Sequence, residues 1–433
     1  MIDSLNRRLD TLKAGEAGKL GALMATAFID MVGALMILPL MPFYAKSFGA
    51  SDFLVTVLVS SFSAMQLLTA PVWGRVSDRY GRKPVLLIGL GASALAYVVF
   101  AFAHNYWVLL LSRIVQGAGG GTTGVIQAYV ADSVAPKNRA RALGWLSAST
   151  NAGVVLGPAI GSLASELRGW TPGILAASLC LLNIVFASKY LAESRGESAR
   201  AKHAGSLTPL QAVRRVAWGN FSAPSTRLIW MYAVGIGAFY GVNVLLVLYL
   251  NRVFDVTVHT IGWFYSYIGI LGIIFRIGVL GRTVDRLGER RTSRLGATSL
   301  ALGLALVPFT SPLGIPGLSL LPLAIVVALI PLGAALNFPC VTALLSRVVG
   351  EHERGLYMGV QQTYGGLARV LYPLVAGSAS DHFGIGAPFW LSGALVASTI
   401  VMGTGLERYS RRTGEHPIPP VVEGTGEEAV VAD

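Results

Sequence analysis

This chain of 433 residues is 53% hydrophobic and only 13% charged, about half the charged fraction of an ordinary soluble protein. Its mean hydropathy of +0.61 agrees, so a soluble enzyme is disfavoured and an integral membrane protein is indicated. The net charge of +12 would suit a nucleic-acid-binding protein, but the positions of the basic residues exclude that function, as described below.

Apolar runs close to the roughly 20 residues of a transmembrane helix recur about twelve times. They lie near residues 20–43, 53–73, 85–104, 107–130, 142–164, 171–190, 228–250, 260–280, 293–310, 318–342, 355–378 and 386–406. The pattern predicts an all-α integral membrane protein with twelve transmembrane helices in two six-helix bundles. The predicted boundaries are an N-terminal segment at 1–19, bundles at 20–190 and 228–406, a linker at 191–227 and a disordered tail at 407–433.

The basic residues have a strongly uneven distribution over the predicted loops. If the N-terminus lies inside, the inner segments hold 28 of the 34 lysines and arginines, and the outer loops hold only Lys46, Arg168 and Arg252. Because basic loops stay on the cytoplasmic side, we expect an inner-membrane protein with both termini in the cytoplasm. A basic patch for nucleic acid is therefore not indicated.

The first apolar run contains Asp30 about ten residues from its start, roughly 15 Å deep by helix rise. A charge at that depth is costly and normally faces a cavity in which it has a function. We place no other carboxylate well inside a predicted span, so Asp30 is the candidate proton-coupling group. The alternative is a purely structural buried polar group.

A short charged hairpin follows the second run and recurs 207 residues later. The copies run from Gly74 to Lys83 and from Gly281 to Arg290, and each connects two apolar runs. Such a duplication is typical of secondary transporters. Gly74 and Gly81 would permit a tight turn and close helix approach. The alternative is that the hairpin charges only set topology.

Two features of the fourth and fifth runs also bear on function. Arg113 lies about 9 Å deep, at a height comparable to Asp30, and we expect it to pair with the ionised Asp30 carboxylate and to release the protonated form. In the fifth run, glycines every four residues share one helix face, and a proline permits a bend. The pattern consists of Gly144, Gly153, Gly157, Pro158 and Gly161. Ordinary helix packing is the alternative for these glycines.

Polar and aromatic side chains inside the later apolar runs are the candidate substrate-binding residues. They are Gln127, Tyr240, Asn243, Asn337, Phe338, Gln361 and Tyr364. Arg276 and Arg369 have no obvious acidic partner at matching depth, so each is either a substrate-binding residue or a side chain that reaches for the interface. Hydrogen bonding between helices is the alternative for the uncharged residues.

These motifs resemble those of the major facilitator superfamily over about residues 20–406. The glycine–proline pattern, with Ser162 where a further glycine is usual, is similar to that of drug/proton antiporters, and the Asp30 run resembles the first helix of tetracycline and multidrug exporters. The resemblance implies that Asp78 meets the inner end of the eleventh helix and Asp285 that of the fifth when the cytoplasmic side is closed. Arg79, Arg82 and Arg286 belong to the same gate motif.

We therefore predict a proton-coupled exporter of an amphipathic small molecule that works by alternating access. It needs no cofactor beyond the proton gradient, holds no metal, contacts membrane lipids and acts as a monomer. An exporter of an anionic or zwitterionic metabolite, siderophore or lipid, a proton-coupled importer and a non-transporting receptor remain alternatives. No catalytic motif is present, so an enzyme is the least favoured reading.

Overall fold

The structure is a computed structural model that describes residues 16–120, 122–134, 138–191, 193, 211, 213–214, 216, 223–312, 320–350 and 353–404. Regular structure within these residues is helical throughout. The predicted tail at 407–433 lies outside them, as do most of the N-terminal segment and most of the linker.

The helices follow the predicted apolar runs. The first half contains α1 Glu16–Ile37, α2 Met41–Ser47, α3 Asp52–Tyr80, α4 Arg82–Ala101, α5 Tyr106–Gly119, α6 Thr122–Ser133, α7 Arg139–Ser165 and α8 Thr171–Tyr190. The second half contains α9 Pro224–Phe254, α10 Ile261–Ile274, α11 Leu280–Leu306, α12 Leu321–Val348, α13 Arg354–Phe383 and α14 Ala387–Met402. A π-helical segment, Phe275–Val279, joins α10 to α11.

Seven stretches of described helix are long and apolar enough to cross a membrane. They are Leu20–Ser47, Asp52–Tyr80, Arg82–Ala101, Thr171–Tyr190, Pro224–Phe254, Ile261–Phe309 and Leu321–Val348. The count of twelve spans stays a prediction, in part because Ile261–Phe309 is one stretch covering two predicted runs. Within α11 the backbone is non-helical at Gly288, where φ is 75°. Gly81 has φ 103° in the equivalent hairpin, so both turns need a glycine.

Among the described residues, the apolar clusters that contain side chains of both halves lie at one end. At the end away from the hairpins, Met36 and Leu58 of the first half pack in one cluster with Leu245 and Ala376 of the second. At the hairpin end the clusters are separate, one around Tyr129 in the first half and another that includes Val360 in the second. The halves are therefore joined at the end opposite the hairpins, which we call the latch end.

Glycines allow α7 to make very close contacts with two neighbouring helices. Gly153, Gly157 and Gly161 pack against α1, and a Cβ on Gly161 would lie 2.1 Å from the Met36 carbonyl oxygen. On another face of α7, a Cβ on Gly262 of α10 would lie 2.1 Å from the Pro158 carbonyl oxygen. Gly144 has no heavy atom within 4 Å of the position a Cβ would take.

We expect Gly161→Ala to lower the thermal stability of the purified protein strongly, because backbone atoms cannot yield to the new methyl group as a flexible side chain can. A cost of about 1–3 kcal/mol is typical of overpacking. Gly144→Ala is the matched control and should melt like the wild type in a detergent thermal-shift assay. Equal melting temperatures for both variants would contradict the close packing of α7 on α1.

Candidate functional site

Asp30 lies on α1 with its side chain partly exposed. Within the described part of the chain, it forms no ion pair and accepts no hydrogen bond. A carboxylate deep in a membrane helix without a fixed partner is free to bind and release a proton. The role of Asp30 in proton coupling stays a prediction.

Arg113 on α5 is 3% exposed. Its guanidinium lies over the Phe62 ring, 5.7 Å from the ring centroid, and its Nε and Nη2 atoms have no hydrogen-bond partner among the described residues. The expected ion pair with Asp30 is not formed in this conformation, since no described carboxylate oxygen lies within 4 Å of the guanidinium. Buried unpaired donors are rare and call for an explanation.

Two neighbours of this pair were not selected from the sequence. Tyr97 on α4 is completely buried, and its hydroxyl oxygen accepts a hydrogen bond from Gln116 Nε2 at 2.8 Å. The phenol lies within electrostatic reach of both Asp30 and Arg113. A tyrosine in an apolar run carries no distinctive sequence signal, but Gln116, one helical turn after Arg113, could have been noticed.

The hairpin charges make their contacts locally. Asp78 is exposed and pairs with Arg82 in its own hairpin at 2.7 Å, while Arg79 lies against the neighbouring Tyr80 ring. Asp285 and Arg286 are also exposed. Among the described residues, no heavy atom of another segment lies within 4 Å of the position that a Cβ on Gly74 would take, so the close helix approach expected there stays a prediction. The contacts of Asp78 with α13 and of Asp285 with α7, which are expected when the cytoplasmic side is closed, stay predictions.

Each hairpin forms an ion pair with a neighbouring helix, and the acid and the base are on opposite sides in the two pairs. Arg82 Nε lies 3.1 Å from Asp132 Oδ2 at the end of α6. Glu289, 207 residues after Arg82, lies 2.6 Å from Arg347 at the end of α12. Each hairpin therefore makes one ion pair to the end of a later helix, with the base on the first hairpin and the acid on the second.

The latch end carries a polar cluster that the sequence did not indicate. The Asp52 side chain is 2% exposed, and its Oδ1 lies 2.7 Å from Lys46 Nζ and 2.5 Å from Arg252. Its Oδ2 accepts a hydrogen bond from Ser380 Oγ at 2.5 Å. Asp381 on α13 accepts hydrogen bonds from the first two backbone N–H groups of α3. Because Arg252, Ser380 and Asp381 come from the second half, the cluster holds the two halves together.

A second contact across the halves explains a departure from the family pattern. Ser162 stands where a further glycine is usual, and its hydroxyl donates to the Val258 carbonyl and accepts from the Gly262 N–H. Ser266 donates to the Val155 carbonyl nearby. A glycine at position 162 could make neither hydroxyl contact, so Ser162 adds a polar bond between α7 and the second half.

The predicted substrate-binding residues divide into two groups. Tyr240 is 40% exposed although α9 is otherwise largely buried, and Arg369 lies 5.3 Å from its ring centroid. Phe239 links Tyr240 to Phe338 through edge-on ring contacts, so these four side chains form one patch. We call it the aromatic patch.

The remaining candidates lie elsewhere in this conformation. Asn337, Gln361 and Tyr364 are buried and hydrogen-bond to Ser293, Thr342 and the Val213 carbonyl, respectively. Asn243 is half-buried, and Gln127 and Arg276 are exposed. The described residues contain no group of three or more His, Cys, Asp or Glu side chains that could hold a metal ion.

The family model of the Major Facilitator Superfamily matches residues 23–373 and 279–424 of this chain. The chain belongs to this superfamily. It is 28% identical to the Escherichia coli "Tetracycline resistance protein, class C" over 399 residues, which cover 90% of this chain and 97% of that protein. It is 26% identical to "Multidrug resistance protein 2" of Bacillus subtilis over 388 residues, covering 89% and 93% of the two chains.

The fold is also that of solved transporters. The human organic anion transporter MFSD10 (TETRAN) matches with a TM-score of 0.65 and 22% identity over 90% of this chain and all of that one. The superfamily member described here is therefore an all-helical membrane transporter that resembles tetracycline and multidrug efflux proteins. Its relatives and fold neighbours are transporters and not enzymes.

Proposed function

We propose that this protein exports an amphipathic small molecule in exchange for protons by alternating access. The observation that carries the proposal is Asp30, a carboxylate in α1 with no ion-pair partner among the described residues. The similarity of the chain, over most of its length, to tetracycline and multidrug resistance proteins supports export of a drug-like compound. Twelve spans, an inner-membrane location, cytoplasmic termini and a monomeric state belong to the same proposal.

The different contacts between the two halves at the latch end and at the hairpin end support alternating access. The halves share a core and a polar cluster at the latch end, whereas Asp78 and Asp285 are exposed at the hairpin end. If the hairpins are cytoplasmic, the substrate enters from the cytoplasm in this conformation. Opening the latch end and closing the hairpin gate would then release the substrate outside.

The proposal is tested with purified protein in liposomes that contain a trapped pH-sensitive dye. With a pH gradient imposed, we expect added tetracycline, or a cationic or zwitterionic amphiphile from a panel, to trigger proton movement that empty liposomes lack. Absence of any response across the panel would contradict drug/proton exchange and would favour a specialised substrate or a non-transporting receptor.

The aromatic patch favours a second candidate, export of an anionic or zwitterionic substrate. Arg369 has a buried Nε atom without a hydrogen-bond partner and no carboxylate within 4 Å among the described residues. A guanidinium in this setting can donate hydrogen bonds to a carboxylate or enolate of the substrate, while the Tyr240 and Phe338 rings contact the apolar part of the substrate.

Arg369→Gln tests whether the substrate carries a negative charge that Arg369 binds. If the substrate is anionic or zwitterionic, we expect its KM to rise about tenfold or more, because a hydrogen bond to a charged group is lost. Uptake by inverted vesicles provides the measurement. Arg276→Gln, which removes a charge in the exposed π-helical segment, should leave that KM unchanged. Unaltered transport by both variants would favour an uncharged or cationic substrate.

A further inference from the structure

Polar groups near Tyr97 are left with unused hydrogen-bonding capacity among the described residues. Arg113 Nε and Nη2 and Gln116 Oε1 are buried without partners. Tyr97 uses its hydroxyl oxygen to accept from Gln116, and no acceptor for its own proton lies within hydrogen-bonding distance among the described residues. Because buried polar groups are normally satisfied, this pattern indicates a cluster that is paired in another state.

Tyr97 connects the Asp30 face of α1 to the Arg113 face of α5. Gly33 lies about one turn after Asp30, and a Cβ built there would be 3.5 Å from Tyr97 Cε2. Gln116 lies about one turn after Arg113 and contacts the Tyr97 hydroxyl at 2.8 Å. The Tyr97 ring therefore lies near α1 about one turn from Asp30, and its hydroxyl contacts α5 about one turn from Arg113.

Few other titratable groups approach this cluster. On α8, Cys180 is buried and lies within electrostatic reach of Asp30. The α7 helix presents Gly153, Gly157 and Ser149 to α1, and none of these carries a charge. Tyr129 of α6 packs nearer the hairpin end, in a separate apolar cluster with Leu23 and Ala27 of α1.

We propose that Tyr97 is a positioning residue for proton exchange at Asp30. When the Asp30 carboxyl group is ionised, it accepts a hydrogen bond from the Tyr97 hydroxyl, whose oxygen is held by Gln116. Uptake of a proton from solution neutralises Asp30 and releases that bond, while Tyr97 keeps its own proton throughout. Arg113 stabilises the ionised arrangement from the other side of the phenol.

The inference rests on the proposed role of Asp30 as the proton carrier, but it can be tested without a transport substrate. The measurement is an infrared difference spectrum of the purified protein, recorded over a pH titration. It reports the band of the protonated Asp30 carboxyl group, which is identified because the band is lost in Asp30→Asn. In Tyr97→Phe we expect the midpoint of that band to move to higher pH by about one unit. The sign follows because the ionised form alone loses a hydrogen bond.

Two further variants complete the experiment. Gln116→Leu should shift the midpoint in the same direction by less, since the hydroxyl remains but is no longer held. Tyr106→Phe is the matched control. Tyr106 lies on the same helix as Arg113, and the substitution removes a hydroxyl that donates a hydrogen bond to the Leu54 carbonyl. The Asp30 band of this variant should titrate like that of the wild type. A uniform effect of all three variants would reveal a general loss of structure and would overturn the proposal.

The failure of the inference and of the proposed function can be told apart. An Asp30 band that titrates identically in the wild type and in Tyr97→Phe would overturn the role of Tyr97 and leave proton exchange at Asp30 intact. If no carboxyl band depended on Asp30, its role as proton carrier would be lost, and the inference with it. A shifted Asp30 band in a protein that gives no dye response to any compound would support Tyr97 and contradict drug/proton exchange.

Discussion

Replacing Asp30 with asparagine should reduce substrate-driven proton movement to the level of empty liposomes. Asparagine keeps the size of the side chain but cannot bind and release a proton, so transport can no longer be driven by the pH gradient. Substrate exchange between the two sides of the membrane should persist, because the aromatic patch and both gates are unchanged. The trapped-dye assay and a parallel counterflow assay measure the two properties separately.

Glu166→Gln provides the control, since Glu166 is an exposed carboxylate just beyond α7 at the latch end. This variant should couple protons as the wild type does. If Asp30→Asn retained full proton movement, the coupling acid would lie elsewhere, and the assignment of Asp30 would be wrong. Loss of both proton movement and counterflow would instead indicate a structural function for Asp30.

Asp52→Asn should shift the protein toward the conformation that is open at the latch end. The carboxylate joins Lys46 of the first half to Arg252 and Ser380 of the second, so its charge holds the two halves together. Lys46 and Arg252 remain partly exposed, which limits the loss. A change of about 2 kcal/mol is expected for hydrogen bonds to a buried charge, equivalent to about thirtyfold in the conformational equilibrium.

The measurement uses spin labels at Leu167 and Phe383, two exposed positions at the latch ends of the two halves. Cys180 and Cys340 are buried and should not compete for the label. The distance distribution should gain a longer component in Asp52→Asn. Asp255→Asn, which changes another acid at this end in a left-handed position that asparagine also tolerates, should leave the distribution unaltered. Identical distributions in all three proteins would exclude the polar cluster as a latch.

The duplicated hairpins show how sequence and structure contributed differently. Their repetition predicted two related halves, and the positive φ angles at Gly81 and Gly288 agree with the expected turns. The partners in the ion pairs Arg82–Asp132 and Glu289–Arg347 could not be predicted from the sequence, because each pair joins residues on separate helices. The tertiary structure alone brings these residues together.

The same division applies to the candidate site. Asp30, Arg113 and Arg369 were recognisable because charges inside apolar runs are costly enough to stand out from any local pattern. Tyr97 was not, since a tyrosine in an apolar helix is common and becomes significant only beside Asp30 and Gln116. Asp52 lies at the edge of an apolar run, where a carboxylate costs little in isolation and gives no signal.

The sequence by itself determined the membrane class, the duplicated helical architecture and the family, because hydropathy and local motifs depend on residues close together in the chain. It also determined which embedded charges could carry function. Only the tertiary structure decided that the halves are joined at the latch end, that Tyr97 is hydrogen-bonded to Gln116 within electrostatic reach of Asp30 and Arg113, and that Asn337, Gln361 and Tyr364 are buried in helix contacts. These features depend on the packing of distant helices, which no local pattern encodes.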